Sequence, residues 1–107
     1  MKSIICENFG PLNSLVYKEV ETPEIQNPSD VLIKVFSSGV NFPDGLLVQG
    51  KYQLKPPVPF TPGMEVSGEV LYIGSEVTEF IIGDRVAGLS QLGWFSEYFV
   101  LNKNAVY

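Results

Sequence analysis

No histidine occurs among the 107 residues of this chain. That removes the usual near-neutral general base and the commonest metal ligand together, and it excludes serine–histidine and cysteine–histidine nucleophile systems built within the chain. Cysteine is almost as scarce. Cys6 stands alone, so no intrachain disulfide forms, a reducing cytoplasmic setting is expected, and a zinc site would need carboxylates around one thiolate, outside the usual ligand sets. Basic residues are outnumbered, 7 against 12 acidic, and form no cluster, which argues against a nucleic-acid partner. No apolar run approaches the ~20 residues of a membrane helix. The opening M-K-S-I-I-C-E meets an acid before any long apolar stretch, unlike a signal peptide; no membrane partner is expected. There is also no G-x-G-x-x-G leading into a helix and no βαβ pattern, so the chain cannot hold a dinucleotide in the usual way.

What is present is a globular, strand-rich chain, 45% apolar and of single-domain length. Runs rich in β-branched and aromatic residues predict strands over 3–7, 14–20, 30–37, 65–73, 85–89 and 96–101, separated by Gly/Pro turns. Val31, Ile33 and Val35 alternate with Leu32, Lys34 and Phe36, giving one purely aliphatic face. The helical candidate is P-D-G-L-L-V-Q-G, residues 43–50, opened by proline and closed by glycine. From Gly50 to Gly63 the chain carries four prolines and cannot run through a sheet; it reads as an extended surface arm. Many short strands with such turns describe a mainly β fold, either a sandwich or a partly open barrel. On their own, Asn41 reads as a turn residue and Tyr52 as packing.

The run V-N-F-P-D-G-L-L-V-Q-G-K-Y-Q-L-K-P-P-V-P-F-T-P-G-M-E-V-S-G-E-V, with the later I-G-D-R-V and G-W-F-S-E-Y-F-V, closely resembles the N-terminal catalytic domain of medium-chain dehydrogenases/reductases. Within them it is most similar to the quinone oxidoreductase, or zeta-crystallin-like, branch. The resemblance covers nearly all of residues 1–107. It implies a GroES-like fold, a partly open β-barrel with one or two short helices, continued in intact members by a Rossmann domain that is absent from this chain. It also implies NADPH as cofactor, reduction of a small-molecule quinone, enone or enoyl thioester, and a dimeric intact enzyme; the isolated chain is expected to be inactive.

Zinc-dependent relatives in that superfamily carry G-x-C-x-x-D and P-G-H-E where this chain has Gly39-Val40-Asn41-Phe42-Pro43-Asp44 and Pro62-Gly63-Met64-Glu65. Asn41 stands in place of the ligand cysteine and Met64 in place of the ligand histidine, so the resemblance implies a zinc-independent site in which Met64 only packs. It further implies that Tyr52 acts as oxyanion donor or proton source, that Asn41 positions nicotinamide or substrate, and that Asp44 stands with Asn41 on the cofactor. Glu65 reads as structural, with Arg85 as its first candidate cation. The aromatic-rich end, Trp94, Phe95, Tyr98, Phe99 and Tyr107, is expected to contribute an exposed apolar patch. Two other functions fit the same barrel: a co-chaperonin-like assembly module, against which the proline-stiffened 50–63 arm speaks, and a crystallin-like structural protein.

Overall fold

In a computed structural model describing residues 1–107, the predicted strands appear as β1 (Lys2–Ile5), β2 (Val16–Glu19), β3 (Asp30–Ser37), β4 (Glu65–Ile73), β5 (Arg85–Leu89) and β6 (Tyr98–Asn102), with one α-helix, α1 (Phe42–Gln49), and 3-10 turns at Leu12–Ser14 and Lys103–Ala105. β1 and β2 form a two-stranded antiparallel ribbon; the other four make a sheet in the order β5-β4-β3-β6, all neighbours antiparallel. The ribbon joins the larger sheet through residues 95–97: the Ile4 N–H donates to the Phe95 carbonyl at 2.8 Å, and the Glu97 N–H to the Lys2 carbonyl at 3.1 Å. After β6 the chain returns to β5, where Ala87 and Tyr107 exchange backbone hydrogen bonds of 2.8 Å each, a short bridge and not a continuous ladder. The structure is mainly β and barrel-like but not closed, as expected for the GroES-like fold.

Period-two patterning puts Val31 and Ile33 of β3 and Val66 and Val70 of β4 on the inner face, where they meet Val77, Val86, Trp94 and Val106. Each such aliphatic side chain contributes about 1.5–3 kcal/mol relative to exposure. Trp94 is wholly buried at the centre, its ring edge-on to Phe99 with centroids 4.7 Å apart. That overturns its expected place in an exposed aromatic patch. The Trp94 ring lies over Gly88 of β5, where an added Cβ would meet it, while Phe95, Tyr98 and Phe99 are half-buried and only Tyr107 of that group is exposed. Leu32, on the mixed face, is also buried: the 22–25 segment covers it from outside.

A second, smaller core lies under α1, where Leu47 and Val48 meet Cys6 and Phe60. The helix stops at Gly50, whose left-handed backbone (φ 70°) suits glycine because it lacks a Cβ. Behind it, the Gly50 N–H reaches the Leu47 carbonyl at 3.1 Å and the Lys51 N–H the Leu46 carbonyl at 2.9 Å, the paired bonds of a Schellman motif. The proline arm then runs along the surface and returns to β1's continuation, where Cys6 and Phe60 exchange backbone hydrogen bonds of 2.8 and 3.1 Å.

Candidate functional site

Helix α1 opens on Asn41-Phe42-Pro43-Asp44. Proline near the helix start sacrifices no intrahelical donor, and an acid in the first turn meets the positive end of the helix. One oxygen of Asp44, Oδ2, accepts from the Asn41 N–H at 2.7 Å, and the Asp44 N–H donates to the Asn41 carbonyl at 3.1 Å. This is the layout of a capping box in which Asp44 carries the bond; the Asn41 side chain makes no cap hydrogen bond. The other oxygen, Oδ1, is buried without a partner inside the chain, in a residue only 3% exposed. Leaving a buried acceptor unpaired costs about 1–3 kcal/mol, so capping alone does not account for this carboxylate.

Asn41 and Asp44 line one mainly apolar cleft of ≈ 660 Å³, with Val40, Phe42, Leu46 and Phe95 among its walls. Val40 and Phe42 flank Asn41 and are 82% and 81% exposed. Exposed Phe36 and Leu89 stand at the same end of the large sheet, because the C-terminal ends of β3 and β5 lie beside the start of β4. Sequence reading overlooked these side chains; the available signal was a polar turn residue bracketed by two large apolar ones.

Tyr52 lies apart from this cleft. It is half-buried beyond the C-terminal end of α1 and packs with Leu54, Met64 and Leu92 against Cys6, Leu47, Val48 and Phe60. An eight-residue helix is about 12 Å long, so Asn41 and Tyr52 stand at opposite ends of α1. The structure therefore unites two of the three predicted site residues and separates the third. Met64 packs, as its replacement of a ligand histidine implied.

Glu65 differs from expectation. Strand alternation turns residues 65, 67 and 69 outward and Val66, Gly68 and Val70 inward, leaving Glu65 exposed. Arg85 is opposite Glu69, whereas Glu65 is opposite Leu89, so the proposed Glu65–Arg85 pairing does not occur. The Glu65 carboxylate instead lies over Gly39, where an added Cβ would collide with it, and the Ser38 hydroxyl donates to the Glu65 carbonyl at 2.6 Å.

The residues do not fit zinc. An amide at Asn41 and a thioether at Met64 are poor donors for that ion, and no three Cys, Asp or Glu side chains gather closely enough to hold a metal. Cys6 is buried and donates to the Asn8 carbonyl at 3.3 Å. Burial pushes its thiol pKa up, which keeps it protonated and unsuited to ligation or attack.

An open β-barrel with its polar pair at the head of a short helix defines a class. Residues 27–107 match the family model described as the alcohol dehydrogenase GroES-like domain, and the chain belongs to that family. Its relatives are those the sequence motifs pointed to. The chain is 41% identical over 107 residues to a quinone oxidoreductase-like protein 2 homolog of Nematostella vectensis, covering 99% of this chain and 29% of that protein. Among solved structures it is similar to a quinone oxidoreductase of Pseudomonas syringae (TM-score 0.90, 36% identity, 99% of this chain and 32% of that one). It is likewise similar to the Escherichia coli quinone oxidoreductase complexed with NADPH (TM-score 0.92, 27% identity, 100% and 32%). The chain thus spans about a third of the length of these relatives.

Proposed function

We propose that this chain is the acceptor-side catalytic domain of a zinc-independent, NADPH-dependent reductase of quinones, enones or enoyl thioesters. In the complete enzyme, a cytoplasmic dimer on this reading, a Rossmann domain supplies most of the cofactor affinity that the chain lacks. The observation that carries the proposal is the Asn41–Asp44 pair on one apolar cleft, with Asp44 Oδ1 buried and unpaired. Relatives named quinone oxidoreductase and a solved relative in complex with NADPH support it. The exposed Phe36, Val40, Phe42 and Leu89 at that end of the sheet suit the contact face of the cofactor domain.

When bound, the nicotinamide supplies a hydride. Asp44 anchors the loop by holding the Asn41 N–H through Oδ2, and with Oδ1 buried it acts on the cofactor through the placement of Asn41. The Asn41 amide, unused by the cap, orients nicotinamide or substrate. A conjugated acceptor is already electron-poor, so a neutral donor suffices to stabilise the oxygen on which charge develops. The Tyr52 phenol, packed at the far end of α1, reaches that oxygen only if residues 50–54 move toward the cleft in the complete enzyme. The apolar walls exclude water and strengthen each of these hydrogen bonds.

Two substitutions in the complete enzyme test this. Tyr52→Phe, at the far end of α1, should leave hydride transfer in stopped-flow and NADPH affinity unchanged, and a loss of about 10²–10³-fold would bring the phenol into the site. Asn41→Ala should alter KM and kcat together. Unchanged kinetics in Asn41→Ala would remove the cleft from the mechanism.

A further inference from the structure

Three glycines sit inside regular elements: Gly45 in α1, Gly68 in β4 and Gly88 in β5. Packing demands two of them. A Cβ at Gly68 would strike the Lys34 carbonyl of the neighbouring strand, and one at Gly88 would lie 2.9 Å from the Trp94 ring. Neither packing nor backbone demands Gly45. Its φ is not left-handed, and a Cβ there would meet nothing nearer than Leu12 Cδ2 at 3.9 Å and Gln49 Nε2 at 4.0 Å. Glycine inside a helix is less stable than alanine, because it loses more backbone freedom on folding. What the missing side chain leaves is space in the cleft, which Gly45 lines together with Leu12, Asn41 and Gln49. Asn41, Gly45 and Gln49 follow at intervals of four residues and so lie along one face of the helix. The Gln49 amide donates to the Gly45 carbonyl at 3.1 Å, which holds that side chain along the helix. The result is a notch one turn beyond Asn41, with Leu12 and Gln49 as its nearest walls.

We propose that Gly45 is a specificity-determining residue, whose missing side chain lets an acceptor with further rings fused behind the reacting one lie against the backbone of α1. The proposal rests on the reading of this cleft as the acceptor's side and adds the residue that sets the acceptor's breadth. Residues four apart stand about 6 Å apart along a helix axis, so a single ring held at Asn41 ends short of the notch and a linear fused system enters it. A side chain at 45 would occupy that space. In an apolar pocket, a change of one methylene is worth roughly 10–200-fold in discrimination.

The test follows NADPH-dependent reduction of 1,4-benzoquinone and of 1,4-anthraquinone, the same reacting ring with two more fused behind it, by the complete enzyme and its Gly45→Ala and Gly45→Leu variants. Each acceptor is compared with itself across the variants, so the difference in reduction potential cancels. Alanine and leucine both favour a helix over glycine, so the variants should fold. With 1,4-anthraquinone, kcat/KM should fall roughly 10–200-fold in Gly45→Leu, mainly through KM, and less in Gly45→Ala. Reduction of 1,4-benzoquinone and the KM for NADPH should be unaffected. Equal loss on both acceptors, or no loss on either, overturns the proposal. A raised KM for NADPH also overturns it, by giving the notch to the cofactor. Should Gly45→Leu not fold, an unaltered anthraquinone KM in Gly45→Ala overturns it alone. Lost activity together with weaker urea resistance in Gly45→Ala would make the glycine structural and likewise overturn it. An original enzyme that reduces 1,4-benzoquinone but not 1,4-anthraquinone overturns the notch while sparing the reductase reading. An enzyme that reduces neither overturns the notch, and if it also reduces no enone with NADPH it contradicts the reductase reading itself.

Discussion

At the residue scale, the two oxygens of Asp44 differ in their surroundings. Oδ2 closes the start of α1, and Oδ1 bears the cost of burial without a partner. Glu79 shows the opposite use of a carboxylate, fully committed to local structure. The backbone N–H of Thr78 and then the Lys103 ammonium lower its pKa to about 2. A depressed carboxylate pKa adds stability that is present above the unfolded value, about 4.3, and lost as the pH falls toward 2. Side-chain 13C titration should find Glu79 with a midpoint near 2, and Lys103→Met should move it upward. A Glu79 midpoint in the ordinary glutamate range would contradict the described contacts. The charge is exposed, so its effect on global stability is small.

At the element scale, α1 is the piece on which the site depends, and it is short, with Gly45 in its interior. A Cβ at Gly45 would meet nothing nearer than 3.9 Å, so Gly45→Ala should stabilise the chain by about 0.5–1 kcal/mol in urea unfolding; a destabilised variant would mean the helix is misplaced. The ends of β3, β4 and β5 were readable from sequence to the residue, because alternating apolar runs there terminate in Gly/Pro turns. Other ends moved because competing bonds decide them. Cys6 leaves β1 to pair with Phe60. The Ser14 hydroxyl binds the Pro11 carbonyl at 2.6 Å and draws Ser14 out of the expected 14–20 strand into a 3-10 turn. The Ser96 hydroxyl binds the Gly93 and Tyr98 carbonyls at 2.9 and 3.0 Å, so β6 starts two residues late. Asn41 and Asp44 were readable only through the resemblance to the G-x-C-x-x-D motif; that their three-residue spacing is also that of a helix cap emerges with the structure. The displacement of Tyr52 from their cleft was not readable, since it depends on where the arm turns after Gly50.

At the scale of the whole molecule, the domain presents a polar pair, an apolar cleft and exposed apolar side chains at one end of an unclosed barrel, and the Asn41 amide and Met64 thioether stand outside the usual zinc ligand sets. Reduction of a conjugated acceptor needs no Lewis acid, unlike alcohol oxidation, for which a metal activates the hydroxyl. The decisive measurement is NADPH-dependent reduction of a quinone or enone by the complete enzyme before and after exhaustive chelation, with zinc content followed by elemental analysis. Undiminished turnover by metal-free protein is the predicted result. Turnover lost on chelation and restored by one zinc per chain would contradict the zinc-independent site built on Asn41, Asp44 and Met64.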